Sequence, residues 1–319
     1  MDTDFEAMIE QSIAKCTTLS PTEARHFLEH GWVVVKGAVS QQIRTRYGLP
    51  PENPRLQEVA PRALSAQLDC VGGWDRVKDP EQITLPDSLA VNLCSDDSSL
   101  GENGWRSTRA PGWHKDGWHY RHFLDSPQQG LLLAYLYSDI LPGSGGTQMC
   151  VDSIGVVARL LAQHPEGIHP DSVQSYIRPH MIKECSEFEE LTGEAGDLAI
   201  MHPYMVHRVA GNPSGRPRFA QFPSIKLSQP MQFARDDPSE YSLSELVVLK
   251  ELGQRKRFDF ATEEDYTTYP REDITPPPSR TEEEQLAIRV ELYEEQQRMA
   301  RTEPEWTQEV WTKRERPDL

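Results

Sequence analysis

His114 and Asp116 stand two residues apart in the run Gly112-Trp113-His114-Lys115-Asp116-Gly117, and a second histidine-bearing run, Gly196 to His207, follows far along the chain with His202 and His207 at its end. In an extended segment residues two apart project to the same face, so His114 and Asp116 can reach one ion while Trp113 and Lys115 point away. A third ligand must come from a remote stretch. Two histidines and one carboxylate on one face of an octahedron leave the opposite positions free, the donor arrangement associated with non-haem Fe(II) centres. Uniting such distant segments requires a fold that lays remote strands side by side, which a jelly roll does and a helical bundle does only awkwardly.

His-x-Asp or His-x-Glu is a weak signal alone, because the chain also contains His164-Pro165-Glu166 and His169-Pro170-Asp171. Both of those carry proline between the would-be ligands, which sits badly inside a sheet, and both follow a helix-like apolar run where a surface loop is expected. They are read as decoys. The first match lies instead among Trp105, Trp113, Trp118 and Tyr120, a setting that suits the mouth of a pocket.

The run Gly196-Asp197-Leu198-Ala199-Ile200-Met201-His202-Pro203-Tyr204-Met205-Val206-His207, followed by Asn212, Ser214, Arg216 and Arg218, resembles the distal half of phytanoyl-CoA dioxygenase-like Fe(II)/2-oxoglutarate oxygenases. Leu19 to Ser40 is similar to that family's opening helix and first strand, and Gly145-Gly146-Thr147 with Asp152-Ser153 to its glycine turn and the segment beyond. The resemblance covers residues 19 to 226 with gaps. It implies a mainly β fold with flanking helices, a double-stranded β-helix of the cupin-like jelly-roll kind. It also implies His114, Asp116 and His207 as iron ligands and Arg218 as the anchor for the distal carboxylate of 2-oxoglutarate.

Each implied role has a physical reason. One carboxylate among the ligands leaves the bound ion with net positive charge, which attracts a dianionic co-substrate. The planar guanidinium holds a carboxylate bidentately and stays charged inside a pocket. Arg216 and Arg218 share strand parity, so facing does not separate them; the family spacing selects Arg218, eleven positions after His207. Thr147 is the candidate hydroxyl donor to the co-substrate, against the plainer reading of a turn threonine. In an ideal strand His202 and His207 face opposite sides, so one alone points inward; the resemblance selects His207 and leaves His202 a structural or supporting role. Trp118 and Tyr120 share parity with the ligands and are the candidates for lining the substrate space. His26, His30 and His180 show no partner pattern and are assigned no chemistry, and His119 and His122 are assigned to a loop.

The chain has 319 residues and a formal net charge of −17, which leaves no basic face for nucleic acid. Cys16, Cys70, Cys94, Cys150 and Cys185 are odd in number, scattered and without CxxC spacing, so neither a disulfide framework nor a zinc ribbon is expected. A reducing compartment fits. The acidic opening is not a secretory signal, no run is apolar enough to span a membrane, and Arg316 to Leu319 is not a peroxisomal address. Cytoplasm is the default expectation, with a small molecule as the partner.

Ser20-Pro21-Thr22-Glu23 is a capping box with proline at the first helical position, which predicts a helix ending near Gly31. Trp32 to Lys36 then reads as a strand, and Pro50 to Pro61 as a proline-punctuated loop. Leu131 to Tyr137 is apolar on both faces, as an inner strand of packed sheets requires. A helix is expected over Ile154 to His164, and strands over Asp197 to Met201 and Phe219 to Lys226. These readings divide the chain into a jelly-roll domain over 1–230 and a charged, partly helical C-terminal extension over 231–319 that packs on the core. A helix predicted from Thr281 to about Arg301 carries a narrow stripe of Leu286, Val290 and Tyr293, with a homodimer contact or a flap over the pocket as alternative uses.

The family chemistry so implied uses Fe(II), 2-oxoglutarate and O₂ to oxidise a C–H bond by hydroxylation, desaturation or ring closure, releasing succinate and CO₂. Many relatives tailor natural products, which favours a secondary-metabolite substrate over an acyl-CoA. A non-catalytic metal-binding jelly roll is the remaining alternative, and the presence of Arg218 argues against it, since a metal store needs no carboxylate clamp.

Overall fold

The computed structural model describes residues 3–39, 54–85, 89–93, 106–108, 110, 112–117, 120–164, 167–168 and 182–253. The chain opens with helix α1 (Thr3–Ala14) and α2 (Pro21–His30). Ser20 caps α2 through the Glu23 amide while the Glu23 carboxylate takes the Ser20 amide, and Gly31 ends it in the left-handed conformation at φ 71°. A Cβ at Gly31 would also displace the tip of the Ile154 side chain. Strand β1 (Trp32–Val35) follows at once, as the sequence predicts.

The loop expected up to Pro61 is shorter than its prolines suggest. Helix α3 (Leu56–Val59) precedes α4 (Pro61–Val71), and Pro61 sits in the first turn of α4, where its missing amide costs nothing. The remaining strands are β2 (Ala90–Asn92), β3 (Leu131–Leu136), β4 (Thr147–Cys150), β5 (Phe188–Glu190), β6 (Leu198–Met201), β7 (Val206–Val209), β8 (Arg218–Gln221) and β9 (Ser224–Ile225). The single strand expected over 219–226 is thus two, broken at Pro223, which has no amide to donate. Helix α5 (Ser153–Gln163) lies between β4 and β5.

Pairing among the described strands is antiparallel throughout, in two sheets. The larger runs β1-β6-β3-β8-β2 with β9 also on β3; the smaller runs β5-β4-β7. These are two antiparallel sheets with flanking helices, the mainly β arrangement that the sequence implied. All six residues of β3 are buried, which matches its two apolar faces. Asp197, itself buried, accepts from the Lys36 ammonium at 2.7 Å and the Gly37 and Glu194 amides at 2.9 and 2.8 Å, tying the turn before β6 to the end of β1.

The charged-extension reading missed helix α6 (Leu243–Glu251). Its residues from Leu243 to Leu249 are all buried, and it packs against α1, α2, α4 and α5. Seven consecutive buried residues leave no solvated face over that stretch, so it belongs to the interior. Its capping Glu245 also pairs bidentately with Arg235, at 2.6 and 3.1 Å. The core therefore continues past residue 230 through Leu249. The helix expected over 281–301, with its stripe and its dimer or flap role, lies outside the described residues.

Candidate metal centre

His114 and His207 face each other across an isolated antiparallel bridge, each donating its amide to the other's carbonyl at 2.9 Å. Residues directly opposite in such a pair place their side chains on one face, and the two imidazole centroids are 4.4 Å apart. Asp116, two residues beyond His114, turns to the same side. One oxygen of its carboxylate lies 3.3 Å from His114 Nε2 and 3.7 Å from His207 Nε2. The three ligand atoms all lie within 4.8 Å of one another. Three donors about 2.1 Å from one first-row ion, at right angles, stand about 3 Å apart, so this cluster needs only a small inward movement to hold a cation on one face.

The histidines are oriented for that task. His114 Nδ1 lies 2.8 Å from the Gly112 carbonyl and His207 Nδ1 3.0 Å from the Met205 carbonyl. A carbonyl only accepts, so each Nδ1 carries a proton, and Nε2, directed toward Asp116, is the nitrogen left to coordinate an ion in place of its own proton. Burial lowers the proton affinity of His207, against the opposing charge of Asp116, and keeps it in the ligand form. Partial burial also lowers His114, but its hydrogen bond to Asp116, the Gly112 carbonyl and the Asp116 charge outweigh that and raise it. Burial would likewise raise Asp116, yet the His114 hydrogen bond and the neighbouring His207, His114 and Lys115 charges hold its carboxyl well below the usual range. Asp116 is therefore an anion ready to coordinate.

His202 is placed elsewhere. It is fully buried; the Tyr204 amide donates to its Nδ1 at 3.2 Å, so its Nε2 carries the proton and donates to the Ser244 carbonyl of α6, also at 3.2 Å. Both nitrogens are committed, and neither faces the cluster.

Arg218 begins β8, opposite Asn92 of β2, and is buried to 3% exposure. Its Nε donates to the Gly145 carbonyl at 3.0 Å and its guanidinium lies 5.3 Å from the Phe222 ring centroid. Nη1 is buried and has no hydrogen-bond partner among the described residues. A buried, unpaired guanidinium nitrogen is costly, and a carboxylate is the group that relieves it. Burial lowers the proton affinity of Arg218, but an arginine remains charged under such conditions. The free Nη1 of Arg218 therefore fits a carboxylate.

The glycine turn joins these parts. Asn92 donates to the carbonyls of Gly145 and Ala210 at 3.3 and 2.9 Å. A Cβ at Gly146 would lie 2.3 Å from the Leu191 carbonyl oxygen, so backbone passes there at a distance only glycine permits. Thr147, buried, opens β4 opposite Val209, and Met149 opposes His207. Thr147 thus shares a face of the sheet with His207, between it and the turn that Arg218 holds.

Lys115 is the feature sequence reasoning missed. It does point away from the candidate ligands, but into the interior, where its fully buried ammonium meets the Asp116 carbonyl at 3.0 Å, His122 Nδ1 at 3.0 Å and the Tyr120 hydroxyl at 3.3 Å. Burial, opposed by the Asp116 charge, brings it down to about 7. Tyr120 is 1% exposed and donates to Gln129 at 2.9 Å, so it belongs to this interior network and does not line open space. Its parity with Asp116 is lost at Gly117, whose φ of 116° breaks the extended run. Trp118 and His119, and the Pro-bearing decoys after His164 and His169, lie outside the described residues.

No family model matches the chain, and no curated protein is similar to it. Among solved structures it is similar to the non-heme alpha ketoglutarate dependent carbocyclase SnoK from nogalamycin biosynthesis, with 15% identity over 66% of this chain and 84% of that one, at a TM-score of 0.41. EvdO2 from Micromonospora carbonacea var. aurantiaca shares 12% identity over 71% of this chain and 98% of its own, TM-score 0.35. HygX from Streptomyces hygroscopicus, solved with nickel and 2-oxoglutarate, shares 12% over 66% and 88%, TM-score 0.32. These likenesses are distant, and the geometry of the centre stands independently of them.

Proposed function

We propose that the protein is a non-haem Fe(II)/2-oxoglutarate-dependent oxygenase of the phytanoyl-CoA dioxygenase-like kind that oxidises a C–H bond of a small molecule in secondary-metabolite biosynthesis. The observation that carries this is the pairing of a two-histidine, one-carboxylate cluster with a buried guanidinium whose Nη1 has no partner among the described residues. When bound, the iron with 2-oxoglutarate and O₂ supplies the oxidising power, with succinate and CO₂ as products.

The chain's own contribution is position and charge. His114, Asp116 and His207 would hold the ion from one side, their Nε2 lone pairs fixed by the Gly112 and Met205 carbonyls. Arg218 would fix the far carboxylate of 2-oxoglutarate, and Thr147 would offer its hydroxyl between the two. Held at both ends in this way, the co-substrate would be oriented by the chain's own side chains. Presence of Asp116 also disfavours halogenation, which needs a ligand position open to halide.

Anaerobic addition of Fe(II) and 2-oxoglutarate to the metal-free protein tests the reading. The expected result is a visible charge-transfer band of the iron-chelated keto acid, with slow succinate release once O₂ is admitted. Iron binding without that band would identify a metal-binding protein and overturn the oxygenase reading.

A further inference from the structure

We propose that Cys150, Asp152 and Cys185 form a second metal site, which takes a thiophilic divalent cation of the Zn²⁺ class. The two sulfurs and an Asp152 oxygen all lie within 4.8 Å of one another, and Cys150 Sγ is 3.4 Å from Asp152 Oδ1. In a tetrahedral site with metal–sulfur bonds of about 2.3 Å and metal–oxygen bonds of about 2.0 Å, sulfur and oxygen stand about 3.5 Å apart and two sulfurs about 3.8 Å. The Cys150–Asp152 pair is thus already at coordination spacing, and Cys185, far from Cys150 in sequence, lies close enough to complete the set with a small movement.

Three separate elements create this meeting. Cys150 ends β4, opposite Phe188 of β5; Asp152 is the residue that precedes α5; Cys185 sits in a turn closed by its amide on the Ile182 carbonyl at 2.9 Å. Asp152 Oδ2 is fixed by the Ser186 amide at 2.7 Å and the Glu187 amide at 3.3 Å, which leaves Oδ1 aimed at the Cys150 sulfur. A ligand held from behind in this way is a mark of a prepared site. Cys150 is fully buried, Cys185 is 8% exposed and Asp152 is half-buried, so two protected sulfurs face an edge where water can complete a tetrahedron.

Ligand softness separates this site from the first. Two thiolates favour Zn²⁺, whereas the imidazole and carboxylate set of His114, Asp116 and His207 suits Fe(II). Binding exchanges two S–H bonds for two sulfur–metal bonds and releases two protons to solvent. No oxidant is involved. The ion would brace the end of β4, the strand whose Met149 opposes His207, without touching the histidine cluster. Its residues are distinct from those of the proposed oxygenase centre, so either reading can fail while the other stands.

Anaerobic Co²⁺ titration of the full-length, reduced, metal-free protein is the test. The expected result is near-ultraviolet thiolate-to-cobalt charge-transfer bands that saturate, at one equivalent in Asp116→Ala where the histidine cluster is disabled, and that vanish in Cys150→Ser and in Cys185→Ser. Because those variants can fail to fold, the wild type is also alkylated with and without Zn²⁺ and its cysteines mapped by mass spectrometry. Zn²⁺ is expected to cut labelling of Cys185 at least tenfold and leave Cys16 unchanged. Absence of thiolate bands in the wild type, their survival in either serine variant, or equal labelling of Cys185 with and without Zn²⁺ overturns the proposal.

Discussion

At the residue scale the structure separates His202 from His207, a pair that parity alone left open. His207 presents Nε2 toward Asp116 at 3.7 Å, whereas both His202 nitrogens are bound by backbone. His207→Ala is therefore expected to lose bound iron, while His202→Ala retains it at a stability cost; metal analysis of the purified variants checks this, and equal loss in both would refute the assignment. His202 also carries a pH signature. Burial first, with the Lys115 charge, depresses it from 6.5 to about 3 against the pull of the Ser244 carbonyl. Between those values the unfolded chain binds a proton that the native state refuses, so stability is complete above 6.5 and falls as pH drops toward 3, by about 1.4 kcal/mol per pH unit for this group. Urea midpoints measured down that range should fall more steeply for the wild type than for His202→Asn, and parallel slopes would count against the burial argument. Arg218→Met should weaken 2-oxoglutarate binding by about 10²-fold, the loss of a charge-assisted pair, while leaving Fe(II) affinity within a few-fold. Isothermal titration separates the two, and an unchanged co-substrate affinity would remove Arg218 from its role.

At the scale of elements, the capping box of α2, the strand β1, the doubly apolar β3 and helix α5 were legible because each carries its own local signal. What was not legible had its signal masked. Helix α4 begins at a proline that also looks like loop punctuation, β8 and β9 read as one strand until Pro223 divides them, and Tyr120 turns inward because Gly117 leaves the extended run. Helix α6 was hidden by the charged residues around it, although Leu246, Val248 and Leu249 are completely buried. Leu246→Ala should cost about 2–5 kcal/mol, the usual range for opening a cavity in a packed core. A shift in the denaturant midpoint reads that cost. A change below about 0.5 kcal/mol, the range of exposed positions, would place α6 outside the core.

At the scale of the whole molecule, the histidine and carboxylate motifs were visible in sequence as two fragments, and their meeting depends on the fold. The smaller sheet carries His207 and Thr147, the larger carries Arg218, and the glycine turn at Gly145 binds Arg218 to the start of β4. The interior network of Lys115, Tyr120 and His122, by contrast, had no sequence pattern, since a lysine between two ligands reads as solvated. The most direct test of the account is an anaerobic crystal structure with Fe(II) and 2-oxoglutarate, with anomalous scattering recorded at the iron edge. The expected result is one iron peak bonded to His114 Nε2, His207 Nε2 and an Asp116 oxygen, with the distal carboxylate of 2-oxoglutarate on Arg218. An iron peak away from those three atoms, or a co-substrate carboxylate bound without Arg218, would contradict it.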